Sequence, residues 1–301
     1  MPALPPPDLQ VHAWVQAGIE LRIDDEEPPK ADASIELARL QVKVDGGVYG
    51  VMVQLGASDG VKLLDAVAIA RPLPWLTVKA GRFKAPLSAS FLVPAPKLFT
   101  PTRSLLESAV PRRELGVDVA AEVGEVGSVH LGFFDPITDL AVTGPGVRPI
   151  LSGAVALPGG VDLRVAGTTW ARPADWEKEI DADDAPRWDH ELDVAIEWHP
   201  PNTQLLLEGL LAHPVDGSDP EGAVTALAAH SFPMGPLGLE VVGAWDTALL
   251  RAELEHRLTG GVNLHLDGWH FVASLSWEAT FDEQLAHVTQ GVGRVQLQAG
   301  F

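Results

Sequence analysis

LQVHAWVQAGIELRI, residues 9–23, sets Val11, Ala13, Val15, Ala17, Ile19, Leu21 and Ile23 in unbroken alternation with His12, Trp14, Gln16, Gly18, Glu20 and Arg22. A period of two is the side-chain repeat of a β-strand, so one face of this strand is apolar and the other polar. At ~3.3 Å per residue the run exceeds an ordinary globular strand and suits one that crosses a bilayer at a tilt. The opposite end of the chain repeats the pattern. In LAHVTQGVGRVQLQAGF, residues 285–301, the positions Leu285, Thr289, Gly291, Gly293, Val295, Leu297, Ala299 and Phe301 share one face, and Gln290, Arg294, Gln296 and Gln298 share the other. Taken alone, this second stretch fits a strand between lipid and water, or the last strand of a soluble sandwich. The chain between the two decides.

Composition narrows the classes. The 301 residues are 46% hydrophobic, yet they are punctuated by 29 Gly and 25 Pro, which suggests many short strands between turns. No run approaches the ~18 uninterrupted apolar residues of a membrane-spanning helix. A barrel in lipid uses much apolar residue without a large dry core. A net charge of −20, from 41 acidic and 21 basic residues, argues against nucleic acid as a partner and predicts a negative field around any pore. With no cysteine, disulfides and thiolate metal sites are excluded. Met1 is followed by PALPPPDLQ, without a basic or an apolar leader region; the expectation is a mature sequence behind an added Met, with residues 1–8 as a Pro-rich lead-in.

Between the quoted ends, alternation and turn residues mark strands at Ala33–Asp45, Val48–Gly56, Val61–Arg71, Trp75–Lys84, Arg113–Val123, Ser128–Asp135 and Pro149–Leu157. Others follow at Val161–Ala171, Trp188–Trp198, Thr203–His213, Ala223–Phe232, Leu237–Trp245, Ala248–Leu266 and Trp269–Phe281. A phase slip near Ala38 predicts a bulge. The strand at 61–71 is apolar on both faces, so its inner side stays ambiguous. The expected fold is all-β: a transmembrane, antiparallel up-and-down barrel of sixteen strands spanning residues 9–301. Connections alternate around it. GG, PLP, GEVG, PGG, HPPN, PMGP and DG fall at one end, and acidic or long loops fall at the other, as periplasmic turns and outer loops do. Residues 85–112 form the longest interruption, and a connection of this length is usually functional. In a pore the functional form is a loop folded inward as the constriction.

Trp188 and Trp198 bracket one strand ~33 Å apart. Tilted by ~40°, that projects to roughly 25 Å, the height of the apolar band between aromatic girdles. Trp245, Trp269, Trp277 and Phe301 are the other girdle candidates.

Two blocks carry a family resemblance. LLDAVAIARPLPWLTVKAGRFKAPLS, from residue 63, and the later PRRELGVDVA resemble the phosphate-selective porin O and P family, in which R-x-x-P-W, G-R-F-K-x-P and R-E-L-G-V recur in this order. LTGGVNLHLDGWHFVASLSW and VQLQAGF are similar to its last strands. The resemblance implies a sixteen-stranded bacterial outer-membrane porin, often trimeric, with an inward loop after the GRFK segment and anion selectivity from Arg and Lys lining the constriction. The basic residues Lys79, Arg82, Lys84, Lys97, Arg103, Arg112 and Arg113 match that pattern, but Glu107, Glu114, Asp118 and Glu122 accompany them. Elsewhere the inner faces favour acid. Asp189, Glu191, Asp193, Glu197, Glu253 and Glu255 stand against Arg251, Arg257 and Arg294. Phosphate specificity is therefore not expected to follow from the resemblance.

Charges on opposite walls of a pore set up a transverse field. The expectation is a passive diffusion channel for small hydrophilic solutes and ions, with a weak cation bias and a basic patch at the constriction. The alternatives are an anion- or phosphate-selective porin, and a non-conducting scaffold plugged by its own loop or by a partner protein. Outer-membrane lipid, the permeating solutes and a homotrimer are the expected partners. His265 and His270 flank a turn, and His12 lies on the first strand, next to the closing strand in a barrel, but no metal-ligand spacing occurs, so neither metal nor cofactor is expected. His270, Ser274, Ser276 and Glu278 share a strand face but lie too far apart for a triad, and there is no G-x-S-x-G; no catalysis is expected.

Overall fold

Sixteen strands close into a single tube in the computed structural model of the chain. The structure describes residues 7–24, 28–57, 60–93, 100, 104–106, 113–135, 147–170, 188–214, 219–250, 253–266, 271–281 and 288–300, with only the backbone described at 36, 37, 188 and 250. In chain order the strands are β1 (Asp8–Asp24), β2 (Lys30–Asp45), β3 (Tyr49–Ala57), β4 (Val61–Leu73), β5 (Leu76–Lys84), β6 (Arg113–Val123), β7 (Gly127–Phe134) and β8 (Arg148–Leu157). They continue with β9 (Val161–Thr169), β10 (Trp188–Trp198), β11 (Thr203–Pro214), β12 (Glu221–Met234), β13 (Leu237–Leu250), β14 (Glu253–Leu266), β15 (Phe271–Phe281) and β16 (Val288–Gly300). One short helix, α1 (Ala89–Leu92), follows β5.

Every strand pairs antiparallel with its neighbours in sequence, and β1 pairs with β16 through Gln16↔Gln298 and Glu20↔Arg294. Closure leaves no unpaired edge, which is the condition for a sheet to stand in hydrocarbon. The pleat then sorts the side chains. Ile19, Leu211 and Leu275 are 59%, 63% and 61% exposed on the outside, with Val11, Val15, Val194, Ile196 and Val295 in the same class. Glu114, Asp118, Glu191, Glu208, Gln296 and Gln298 are buried on the inside. An apolar outside this extensive would aggregate in water and is solvated in lipid.

Local chemistry explains the details. Gly47, at φ 78°, and Asn202, at φ 58°, take left-handed conformations in two of the short turns. The phase slip in β2 is a bulge. Gln16 pairs with Leu37 while Ala17 pairs with Ile35, so Glu36 is the extra residue. Gly81, in the GRFK block, has φ 132°, and a Cβ there would sit 2.1 Å from the Ala66 carbonyl oxygen. It faces Gly116 of the RELGV block across β5 and β6, where a Cβ would meet the Phe134 ring at 2.4 Å. Both glycines are needed for close packing around one point of the wall.

One hairpin lies elsewhere than its periodicity predicts. Ala248 and Leu249 belong to β13, and β14 begins at Glu253 rather than at Ala248. Ala248 pairs with Glu255 and is 1% exposed, so it faces inward although it is apolar. It has company. Val67, Phe83, Phe134, Ile150, Leu210, Ala212, Ala223 and Ala248, all from strands, form one buried cluster with Ala85, Leu87, Phe91 and Leu106 from the connection between β5 and β6. The inward apolar residues of β4, Val67 and Ile69, join it. A dry core therefore exists inside the tube, supplied jointly by the wall and by this connection.

Candidate channel lumen

The inserted connection is fastened at two of its described parts. Ser88 caps α1, its Oγ accepting from the Phe91 amide at 3.2 Å. Glu208 of β11 then receives the Ser88 hydroxyl at 2.7 Å, the Ala89 amide at 2.7 Å and the Ser90 amide at 3.0 Å. A carboxylate with three donors at a helix start is strongly held. Further along, the Ser104 hydroxyl donates to Asp246 of β13 at 2.7 Å and is bonded to Thr225 of β12. Glu208↔Thr225, Thr225↔Asp246 and Asp246↔Arg257 are successive register pairs, so both fastenings fall on one row of the wall. At the β5 side, the Lys84 ammonium donates to the carbonyls of Phe91 and Val93 and lies 4.5 Å from the centre of the Phe91 ring. The connection thus leaves β5 and reaches strands β11–β13, half a turn of the barrel away.

The wall against the dry core holds charge in a closed form. Arg148 of β8 lies 3.2 Å from Glu114 of β6 and 3.4 Å from Glu191 of β10, all three buried. Arg113 Nε donates to Asp65 at 2.9 Å, and Asp118 lies 3.2 Å from His130. Asp193 and Glu208, on adjacent strands, are both 0% exposed.

Across β13 to β1 the charges form an alternating ladder instead. Arg257 donates to Asp246 from Nε at 3.2 Å and from Nη2 at 3.0 Å, and its Nη1 lies 3.8 Å from Glu278. Glu278 also meets Arg294 at 3.4 Å, Arg294 Nε donates to Glu20 at 2.9 Å, and Arg22 donates to the same Glu20 at 2.9 Å. Three arginines and three carboxylates thus alternate over five strands. Beside them, Asn263 donates to Glu240 at 2.9 Å and Gln16 donates to Gln296 at 2.9 Å.

The residues singled out from the sequence distribute over these regions. Lys79 is in register with Asp118, whereas Arg82 is in register with Ala66 and with the exposed Leu115, on the parity of the outer face. Glu191 and Asp193 are buried and Asp189 is half-buried. Glu122 and Glu197 stand near the short-turn end, where Glu197 lies 3.6 Å from His199. Glu253 and Glu255 are exposed in the lumen. Lys97, Arg103, Glu107, Arg112 and Arg251 lie outside the described residues, as do Trp269 and Phe301, while for Trp188 only the strand position is described. Trp198 is exposed on the outer wall beside a short turn, and its indole N–H donates to the Gly159 carbonyl at 3.2 Å. Trp245 and Trp277 are exposed too, but stand in the middle of β13 and β15 rather than at strand ends. Gly291 lies against Trp277, with room for a Cβ only 3.2 Å from the indole.

Sequence reasoning missed Glu208, Thr225, Asp246, Arg148 and the dry core. A signal existed for the core. β4, β11, β12 and β13 carry apolar residues at inward positions, where the alternation calls for polar ones.

The sequence matches no protein-family model and no curated protein. Solved structures do match over nearly the whole chain. An anion-selective porin from Comamonas acidovorans shares 12% identity at a TM-score of 0.68, covering 98% of this chain and 100% of that one. Salmonella typhi OmpF, solved in complex with daunomycin, shares 11% at 0.69, with 97% of each covered. The outer membrane channel DcaP of Acinetobacter baumannii shares 10% at 0.66, with 98% of each covered. Likeness at such low identity is likeness of fold, and the chain has the sixteen-stranded barrel fold of the outer-membrane porins.

Proposed function

We propose that this chain is a porin of a bacterial outer membrane, a passive diffusion channel for small hydrophilic solutes and ions, and that it works as a homotrimer. The observation that carries the reading is the pairing of an apolar outer wall with the alternating ladder from Asp246 to Arg22 inside. Such a wall gives a permeating ion or hydroxylated solute polar contacts all along its path without trapping it at any one charge. The segment from Ala85 onward narrows the lumen at the row of Glu208, Thr225 and Asp246. The homotrimer is supported by the similar fold of Vibrio cholerae OmpT, solved in a trimer form. The resemblance to the O and P porins has physical content at Gly81 and Gly116, which meet at the root of the inserted segment.

Among the described residues, two lumen charges speak to ion preference. The exposed Glu253 and Glu255 face the lumen beside a ladder that is itself balanced, which favours a weak cation bias. Single-channel recording of refolded protein in planar bilayers, with reversal potentials in a salt gradient, tests both statements. Stepwise conductance with a modest cation preference is expected. A strong anion preference overturns the bias. Absence of conductance from correctly folded protein overturns the channel and favours the second reading, a scaffold barrel plugged by its own segment. The dry core around Leu87 and Leu106 is the observation that favours that alternative.

A further inference from the structure

Among the described tryptophan, phenylalanine and tyrosine residues, those facing inward from β5 and β7, Phe83 and Phe134, are locked into the dry core. Trp14 of β1 is different. It is half-buried, on the lumen side, and its ring is stacked on that of His12, with centroids 5.7 Å apart and planes 21° apart. Its register partner on β16 is Gly300, which adds no side chain at that level, and its partner on β2 is Arg39. Carboxamides surround the pair. Gln41 is in register with His12, and its amide donates to the Met52 sulfur at 3.2 Å. Gln16, two residues along β1, pairs with Gln298. The arginines of the neighbouring ladder are matched by carboxylates, and the patch itself sets a single arginine, Arg39, among neutral side chains.

We infer that Trp14 and His12, with Gln16, Gln41 and Arg39, form a subsite for a neutral saccharide on the lumen wall. The chemistry is that of pyranose recognition. One face of the sugar ring is clad in C–H groups and lies on a flat aromatic surface, while its hydroxyls need planar donors and acceptors around the rim. Carboxamides offer both roles at once, and a guanidinium adds donors in a fork. A stack held by only two side chains binds weakly, which lets the sugar move on. This deepens the channel reading and rests on it, because the solute reaches Trp14 only through the lumen.

The test adds maltotriose to the protein in planar bilayers and follows the ion current, with Trp14→Ala and Trp14→Phe as variants and heat-modifiable gel mobility as the check on folding. Saturable block is expected. Its half-blocking concentration should rise about threefold to tenfold in Trp14→Ala, the loss of one stacking contact, and return most of the way in Trp14→Phe. A conducting channel that maltotriose does not block, or blocks equally in Trp14→Ala, overturns the subsite while leaving the channel standing. Block by benzoate in place of maltotriose overturns the saccharide assignment. If folded protein does not conduct, the channel reading fails by itself. Calorimetric titration of maltotriose into the detergent-solubilised barrel then decides the subsite, and absence of Trp14-dependent heat overturns it.

Discussion

The two sides of the lumen are made from the same alternating strands and end as opposite environments. Around β6, β8 and β10, Arg148 is sealed between Glu114 and Glu191 beneath the inserted segment. From Asp246 on β13 to Arg22 on β1, equal numbers of arginines and carboxylates alternate as a ladder across five strands. The difference lies less in the wall than in what covers it. Where Leu87, Phe91 and Leu106 return inside the tube, the charges of the wall are sealed away. Beyond Asp246, the end of the ladder that Ser104 of the segment still reaches, charge is shared from strand to strand. A buried pair costs much to break, whereas a solvated one is nearly free.

Removing Arg148 should break the contrast most severely. Arg148→Ala strands Glu114 and Glu191 without a counter-charge, and a loss of about 3–5 kcal/mol is expected, read as a fall in the unfolding temperature of the detergent-solubilised barrel. If unfolding does not change, the sealed side is no different from the open one. Leu106→Ala comes next, because it opens a cavity where the segment is fully buried. It should cost about 2–5 kcal/mol and also raise the conductance as the segment loosens. Glu208→Ala removes the acceptor of three hydrogen bonds and should cost about 1–3 kcal/mol. Noisier channel current would accompany it, whereas quiet current at unchanged stability would show that the fastening is dispensable. Arg22→Ala, on the open side, should stay within about 0.5 kcal/mol. Its effect belongs in the reversal potential, which should move toward cations as Glu20 loses one of two partners.

The same contrast explains what could be read from the sequence. β1 is legible because lipid and water on its two faces enforce strict alternation, as in Val15, Ala17 and Ile19 against Gln16, Gly18 and Glu20. That rule assumes a wet interior. β4 violates it with Val67 and Ile69, and β13 violates it with Ala248, because at those places the interior is dry. Periodicity puts the hairpin between β13 and β14 too early for this reason, since an inward alanine reads as an outward one. The bulge at Glu36 left a visible slip, but the partners of Ser88 and Ser104 left none. Periodicity says which residues point inward. It does not say which of them a returning segment will touch, so Glu208, Thr225 and Asp246 looked like any other inner positions.

The seam between β1 and β16 carries a consequence for how the molecule comes into being. Gln16 and Gln296, hydrogen-bonded at 2.9 Å, are separated by 280 positions along the chain. Fifteen hairpin pairings can form between neighbours at little entropic cost, but this one must wait for both ends of the sheet to meet. Until then the sheet has two raw edges, each able to capture another strand. Circularisation is thus the committing event of assembly, and a lesion at the seam should be felt as a failure to mature rather than as a weaker mature barrel.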